Sequence, residues 1–526
     1  MALPVAGCQT VRAVTEAPMS TQAATIAFLS TPAAFGAPAD GPHPERIDTH
    51  GAVIFLLGDS VLKLKRAVCY DYMDLSTPEL RHALLERELA LNAPAAPMLY
   101  RDVVPVTEGP ESDSPEIDGS GPVIDWVLRM HRFPAENELE AVAARGALDD
   151  DLAGAIGRMV QAYHAGAEIR PGPGAAPMQA ILEELARVFG EFPGAPGTAQ
   201  LPEALAQAGR ALKAQGPLLE DRAAAGHRRR GHGDLHLRNL VLIDGAPVPF
   251  DALEFSEDLG TCDVLYDLAF LVMDLDHRGL ARAATLVLSA YLAAAGGQED
   301  AGLAAFPLFL SVRAMIRAMV LLQTDAATGQ PGASAREIAA YLAQACAVLR
   351  PTPARLVAVG GVSGSGKSVL ARALAPELGA VLLSTDEARK SAAHVGRERK
   401  MPGTAYGIAA RGAVYEGLLA RARLLLEAGQ SVLLDGTFLD PARREAVTAL
   451  GRDVGCPVTG LWLEAPEPVL DARVAARRND WSDADTLVLA GQLAQGSGPL
   501  GEWQELDASG RPEATLRAAK AVLKIG

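Results

Sequence analysis

Two stretches of the chain carry residue types at spacings that suit phosphoryl transfer. The first, Gly361-Val362-Ser363-Gly364-Ser365-Gly366-Lys367-Ser368, fits G-x-x-x-x-G-K-[ST] in full, after an apolar run at 356–360 and before an amphipathic one. Glycines there let backbone N–H groups turn inward around phosphate oxygens, and a helix N-terminus adds its positive end. Lys367 then reaches the outer phosphates, and Ser368 is placed to ligate Mg2+. The second stretch is Gly231-His232-Gly233-Asp234-Leu235-His236-Leu237-Arg238-Asn239, with Pro249-Phe250-Asp251 beyond it. An Asp, an Asn five residues on and an Asp closing the next β-run suit kinase chemistry. Asp234 would orient or deprotonate an acceptor hydroxyl, while Asn239 and Asp251 hold the metal ions that bridge the nucleotide phosphates.

Such residues need elements to hold them. Val53-Ile54-Phe55-Leu56-Leu57 and Val61-Leu62-Lys63-Leu64-Lys65 flank a Gly58-Asp59 turn and read as a hairpin. Residues 78–92 read as a helix with Leu80, Leu84, Leu85, Leu89 and Asn92 along one stripe, and 123–130 as a strand. The chain then turns helical, with Leu152, Ile156, Met159, Val160 and Tyr163 on one face. A second hairpin, 240–243 with 247–250 around Asp244-Gly245, connects Asn239 to Asp251. After the stiff linker Leu349-Arg350-Pro351-Thr352-Pro353, strands at 356–360, 381–384, 431–434 and 458–463 alternate with helical runs. That alternation predicts a parallel sheet with helices on both faces. The expected fold is a two-lobed α+β kinase-like domain followed by an α/β P-loop domain. Its boundaries are a flexible tail over 1–20, an N-lobe over 21–130, a helical C-lobe with the catalytic loop over 131–350, and the P-loop domain over 351–526.

In the C-terminal part, Ser384-Thr385-Asp386-Glu387-Ala388-Arg389 follows the second strand, so Asp386 stands at the carboxyl edge where substrates bind. Asp386 serves there either as the base for an acceptor hydroxyl or as a helix N-cap, and Arg389, one turn on, can hold an anion. Val432-Leu433-Leu434-Asp435 ends a buried strand in an acid, the usual form of a magnesium-supporting carboxylate. Arg473 and Arg477 stand four apart on one helical face, reaching either the transferring phosphoryl or solvent. Residues 355–526 resemble the P-loop small-molecule kinases typified by gluconate kinase, with the related polynucleotide-kinase and zeta-toxin branch, of AAA-type ATP-binding character. In that branch S-x-D-x-x-R supplies a general base and a substrate arginine, and a lid helix supplies further arginines. Ser384, Asp386 and Arg389 match the first element, and Arg473 and Arg477 match the second.

The signature H-G-D-L-H-x-x-N resembles the aminoglycoside phosphotransferase and fructosamine kinase family, whose fold is similar to that of protein kinases. The resemblance spans roughly residues 21–345. It implies that Lys63 is the strand lysine on the α/β-phosphates, with Lys65 on the same face as the alternative. It implies Glu88 as the ion-pair partner, with Glu86 as the fallback, and 124–130 as the hinge that meets adenine. One departure is that the first hairpin holds only Gly58 where protein kinases carry G-x-G-x-x-G. His232, His236 and His164 read as structural rather than metal-binding. Arg228-Arg229-Arg230 reads as a solvated charge run or an attractor of anionic acceptors, Arg313 and Arg317, on one helical face, as candidates to line the acceptor cleft, and Tyr266-Asp267-Leu268-Ala269-Phe270 as mostly core.

Composition bounds these readings. The chain has 526 residues, 49% apolar and 5% aromatic, with a formal charge of −16. That deficit of basic residues disfavours nonspecific nucleic-acid or anionic-membrane binding, which needs Lys and Arg to release counterions. Five scattered cysteines (Cys8, Cys69, Cys262, Cys346, Cys456) form no C-x-x-C pair, which suits a reducing cytoplasm. Val5-Ala6-Gly7-Cys8 has the form of a lipoprotein box but no basic, apolar leader precedes it, and the apolar stretch 302–312 is short for a span of ~20 residues. The expected activity is a bifunctional ATP- and Mg2+-dependent phosphotransferase acting on small-molecule hydroxyl acceptors. Alternatives are a P-loop head that phosphorylates RNA or nucleotide 5′-hydroxyls, and an ATP-sensing regulator. No oligomeric state follows. Antibiotic acceptors, being polycationic, sit badly with Arg228 to Arg230 beside the catalytic loop.

Overall fold

The computed structural model describes residues 19–70, 73–109, 114–393, 395, 399, 401, 408–476 and 482–525. The chain divides into two compact units, each built from separated segments. Met1–Leu148, Gly166–Asp274 and Leu310–Cys346 form the first; Asp149–Ala165, Leu275–Phe309 and Ala347–Gly526 form the second. Residues 1–18 of the expected tail lie outside the described residues, and the helix Met19–Leu29 begins directly after them.

The first unit opens with β1 (Glu45–Asp48), β2 (Ala52–Leu57), β3 (Ser60–Lys65), the short β4 (Cys69–Tyr70) and β5 (Met73–Asp74), β6 (Tyr100–Glu108), β7 (Pro115–Ile117) and β8 (Val123–His131). An antiparallel sheet runs β1-β2-β3-β8-β6-β7, with β4 and β5 paired apart. Side chains alternate across β3. Leu62 and Leu64 join Val53, Phe55, Val106 and Val127 beside Leu29. Val61 instead joins Leu85, Leu99 and Leu128 on the side of the helix Pro78–Asn92. The same period of two puts Lys63 and Lys65 on the Val61 face.

That helix starts at a Thr77 cap with Pro78 in its first turn. Its buried side is Arg81, Leu85, Glu88 and Asn92: Leu85 and Asn92 of the expected stripe lie there, but Arg81 and Glu88 turn inward while Leu80 is 41% exposed. Ion pairing explains the inversion: Arg81 grips the buried Asp125 carboxylate through two nitrogens at 2.8 and 2.9 Å. The helical part of the unit carries β9 (Arg228–Arg230), β10 (Leu240–Ile243), β11 (Ala246–Pro249) and β12 (Thr261–Asp263), paired β9 with β12 and β10 with β11. Asp244 and Gly245 have φ of 50° and 78°, the left-handed pair that a two-residue hairpin turn demands.

In the second unit β13 (Leu356–Gly361), β14 (Ala380–Ser384), β15 (Ser431–Asp435), β16 (Val458–Glu464) and β17 (Gln504–Asp507) form a parallel sheet ordered β14-β15-β13-β16-β17. Val357, Val359, Leu433, Leu461 and Leu463 pack against Leu370 and Leu374 of the helix Lys367–Leu378. The edge strands β1 and β17 were not legible in the sequence. All four residues of β1 are exposed and only Leu506 of β17 is buried, so neither has the apolar alternation that marks a strand.

Helices upstream of the proline linker complete the second unit. Ser289 Oγ, on the helix Ala281–Ala294, accepts the Leu382 N–H of edge strand β14 at 3.0 Å. Arg421, on the helix Ile408–Glu427, pairs with the fully buried Asp300 at 2.7 and 2.9 Å. It also donates to the Leu292 carbonyl. Gly157 permits a close helix approach, since a Cβ there would lie 2.3 Å from the Val287 carbonyl oxygen. The apolar stretch expected at 302–312 belongs to a longer helical run, Asp300–Ala327, which by length and composition is sufficient to cross a bilayer. In the structure 78% of its apolar window is buried inside the protein, the placing of a core helix.

Arg421→Ala strands the Asp300 carboxylate in the interior and should cost about 3–5 kcal/mol. Ser289→Ala leaves one edge N–H without its acceptor and should cost about 1–3 kcal/mol. Both are read as a lowered urea midpoint at unchanged slope. An Arg421→Ala protein as stable as wild type would contradict the role given to this pair.

Candidate active sites

In the first unit the alternation of β3 and the inward turn of Glu88 bring five charges together. Lys63 Nζ lies 2.6 Å from Glu88 Oε1 and 2.9 Å from Asp251 Oδ1. Lys65 Nζ lies 2.6 Å from Glu88 Oε2 and 2.6 Å from Glu254 Oε1. Glu86, the fallback partner, is instead half-exposed and faces His82 at 3.4 Å, because residues two apart on a helix point to opposite sides. Burial disfavours the Lys63 ammonium, but the Asp251 and Glu88 carboxylates outweigh that and hold it well above the usual lysine value. Burial likewise raises the Asp251 carboxyl, and Lys63 drags it far below the carboxylate range.

Asp251 is held at φ 59°, a conformation Asp tolerates better than most residues. Its N–H donates to the Tyr100 hydroxyl at 3.0 Å, and the next N–H, of Ala252, donates to Asn92 Oδ1 at 2.8 Å. Asn239 Nδ2 donates to both the backbone oxygen and the carboxylate of Asp234, each at 2.9 Å. That commits its amino group and leaves the Asn239 amide oxygen as the end suited to a cation.

The loop carrying Asp234 is propped from beneath. Asp267 Oδ2 accepts the His232 N–H at 2.6 Å and Oδ1 accepts the Gly233 N–H at 3.0 Å. Arg313 stacks on the Tyr266 ring at 3.9 Å and donates to the carbonyls of Gly233 and Tyr266. It therefore supports the loop and does not line a cleft, while Arg317 faces the Tyr341 hydroxyl. His232 Nε2 meets the Phe250 carbonyl at 2.9 Å, and His236 Nε2 faces Asp234 at 3.4 Å. Burial raises the Asp234 carboxyl, and His236 more than offsets it, bringing it to about 2.

Neither reading of Arg228 to Arg230 survives. Their guanidiniums hold backbone carbonyls: Arg228 those of Arg170 and Pro171, Arg229 that of Gly226, and Arg230 those of Gly231, Gly260 and Leu253. A strand pairing the run with β12 turns what reads as a charge cluster into a set of backbone clamps. The hairpin around Gly58 is also not the first of the sheet. With Lys63 on the third strand, Gly58-Asp59 is only the β2–β3 turn, and the β1–β2 connection is Thr49-His50-Gly51. Arg66 and Tyr70 fasten it through the carbonyls of Thr49 and His50.

In the second unit Gly361, Gly364 and Gly366 have φ of 139°, 82° and 93°, which few other residues adopt. A Cβ on Gly364 would also sit 2.7 Å from the Leu470 carbonyl oxygen. Ser368 Oγ donates to Asp435 Oδ2 at 2.7 Å, and Lys367 Nζ donates to the Val362 carbonyl at 2.9 Å. Burial raises the Asp435 carboxyl, opposed by the Lys367 charge and helped by Asp386 nearby. Asp386 pairs with Arg389 at 2.7 Å; the N-cap of its helix is Ser384, so the capping alternative fails. Arg473 donates to the carbonyls of Ala508 and Gly510 at 2.8 and 3.0 Å and lines a 440 Å³ cavity with 364–370, Thr515 and Leu516. Arg477 lies outside the described residues.

Several residues here had no motif to announce them. Gln492 Oε1 accepts the P-loop Ser363 N–H at 2.7 Å. Tyr415 Oη accepts the Phe438 N–H and meets the Thr437 hydroxyl, each at 3.1 Å. Only Thr437 had a usable signal, two residues after the strand-ending Asp435. Among the described residues no three His, Cys, Asp or Glu side chains gather as a metal cage.

Residues 356–499 match the AAA domain family. Over 506 residues, 91% of this chain and 95% of theirs, the chain is 30% identical to uncharacterized proteins of Mycobacterium tuberculosis and Mycobacterium bovis. Among solved structures, a sugar kinase from Janibacter sp. HTCC2649 is 26% identical with a TM-score of 0.28, covering 33% of this chain and 96% of its own. A choline/ethanolamine kinase family protein from Mesorhizobium loti is 17% identical with a TM-score of 0.40, covering 63% of this chain and 95% of its own. A gluconokinase from Sinorhizobium meliloti 1021 is 22% identical with a TM-score of 0.24, covering 33% and 94%.

The depressed Asp234 carboxyl stabilises the fold above the unfolded value, and that contribution fades as pH falls towards 2. Between pH 6 and pH 3, wild type should lose about 1 kcal/mol more than Asp234→Asn in urea unfolding. Equal losses would contradict the charge assigned to Asp234. Asp267→Asn, which touches no reacting group, should lower stability by about 1–3 kcal/mol and slow any reaction that uses the loop.

Proposed function

The chain belongs to the same family as its full-length mycobacterial relatives, and on that premise we propose that it is an ATP-dependent phosphotransferase with two heads. Each head would move the ATP γ-phosphoryl to a hydroxyl on a small molecule. The observation that carries the reading is the seat of Lys63 between Glu88 and Asp251, in the unit that also pairs Asp234 with Asn239. Phosphoryl transfer asks a protein mainly for positioning and for cations around the phosphates.

In the first head Lys63 would shift from Asp251 onto the nucleotide phosphates, and Asp251 and the Asn239 amide oxygen would hold Mg2+. The bound ion neutralises charge on the phosphates. A carboxyl as acidic as that of Asp234 is a weak base, so it would act first by orienting the acceptor hydroxyl. The hydroxyl oxygen bonds to the γ-phosphorus, the bond from that phosphorus to the β–γ bridging oxygen breaks, and ADP leaves. The hydroxyl proton passes to Asp234 late in the transfer and then to solvent.

In the second head the corresponding parts are Lys367, released from the Val362 carbonyl, with Ser368 and Asp435 for Mg2+ and Asp386 facing the acceptor. Arg389, already paired with Asp386, would orient that carboxylate and an anionic group of the acceptor. The cavity beside Arg473 suits the nucleotide base. Because Arg228 to Arg230 are committed to carbonyls, they give no ground for setting polycationic acceptors aside.

ADP formation from MgATP with a metabolite extract tests both heads. Asp234→Ala and Lys367→Ala should each abolish a different set of phosphorylated products, by at least about 100-fold. The double variant should leave none. Unchanged ADP production in either single variant would remove that head from the proposal.

A further inference from the structure

The five charges of the first unit form one alternating series, Asp251–Lys63–Glu88–Lys65–Glu254, with successive separations of 2.9, 2.6, 2.6 and 2.6 Å. The two carboxylate oxygens of Glu88 are divided: Oε1 serves Lys63 and Oε2 serves Lys65. Glu88 is fully buried, so it needs a cation at all times. The series is also more open at the Asp251 end than at Glu254, whose side chain is 11% exposed. The Asp251 side chain is 35% exposed and that of Lys63 11%, whereas Lys65 is at 5% with Glu254 closing over it.

Lys65 is fixed by its backbone as well. Gln22 Nε2 donates to the Lys65 carbonyl at 3.0 Å, and Gln22 Oε1 accepts the Ala67 N–H at 2.6 Å. Gln22 is itself held to Asp125, the partner of Arg81 on the Glu88 helix. A residue tied at both ends in this way is poorly placed to travel to a nucleotide. It is well placed to keep a buried carboxylate neutralised while its neighbour travels.

We infer that Lys65 is a positioning residue of the first head, and that Glu254 is its anchor. The inference rests on the phosphotransferase reading of that site and assigns the nucleotide-binding role to Lys63. A lone lysine moving onto phosphates would strip Glu88 of its counter-charge. With Lys65 in place, Glu88 stays compensated and Lys63 is free to leave Asp251 as the phosphates arrive. The departure uncovers the Asp251 carboxylate at the moment a metal ion needs it. Glu254, three residues beyond Asp251, keeps that segment pinned to β3 during the exchange.

The test uses the full chain carrying Lys367→Ala, so that only the first head can turn over. MgATP binding by calorimetry and steady-state ADP formation with the metabolite extract are measured for added Lys63→Met, Lys65→Met, Lys65→Arg, Glu254→Gln and Lys65→Met/Glu254→Gln. Lys65→Met should raise KM for MgATP at least tenfold while kcat falls less than threefold, since Lys63 is then retained by Glu88. Lys65→Arg, keeping the charge, should restore KM to within threefold. Adding Glu254→Gln to Lys65→Met should recover part of the loss by removing the stranded carboxylate; a merely structural role would show that coupling in stability and leave KM for MgATP unmoved. Lys63→Met should lower kcat and weaken binding together. If Lys63→Met disables the site while Lys65→Met changes only thermal stability, the inference is overturned and the reading of the head stands. If neither lysine affects MgATP binding, the reading of the head fails and the inference with it.

Discussion

A carboxylate with no access to water stays ionised only if cations are held against it, and Glu88 is such a carboxylate. Much of the first unit is arranged around meeting that demand. The period of two in β3 places two lysines on one face, and the helix Pro78–Asn92 turns a polar side inward to meet them. The sheet face behind them is apolar, so the charges have nowhere else to go. The segment 251–254 returns to β3 because its two carboxylates are the remaining partners available to the lysines.

The second unit handles charge differently. Its phosphate-binding loop offers backbone N–H groups and a helix end, which need glycine at φ values that other residues resist. Its buried strand-end acid, Asp435, accepts a hydrogen bond from the Ser368 hydroxyl and has no lysine in direct contact among the described residues. Lys367 and the Ser363 N–H meanwhile have partners inside the protein, the Val362 carbonyl and Gln492 Oε1. Binding a polyphosphate at this loop thus exchanges internal hydrogen bonds for external ones.

Misreadings of the sequence share one cause. Arg228 to Arg230 and Arg313 look like surface or ligand-binding charge because nothing local says where their guanidiniums go. In the fold they turn to backbone carbonyls, where a fork of donors can satisfy several acceptors at once. The polar edge strands β1 and β17 were invisible for a related reason, since an edge strand is defined by its neighbour more than by its own residues. Missing β1 also made the β2–β3 hairpin around Gly58 read as the first of the sheet.

The sequence by itself determined the features whose physics is local. The P-loop glycines answer a backbone conformation within eight residues, the Asp234 and Asn239 spacing answers one loop, and the Asp244-Gly245 turn answers one hairpin. The β–α alternation after the proline linker likewise carries its sheet in its own periodicity. Tertiary structure alone decided which carboxylates each lysine meets, with Lys65 and Glu254 189 residues apart. It also decided that Ser289 and Asp300 complete the second unit from upstream of the linker. Those outcomes depend on which buried groups are left needing a partner once the cores have packed, and no stretch of sequence read alone contains that account.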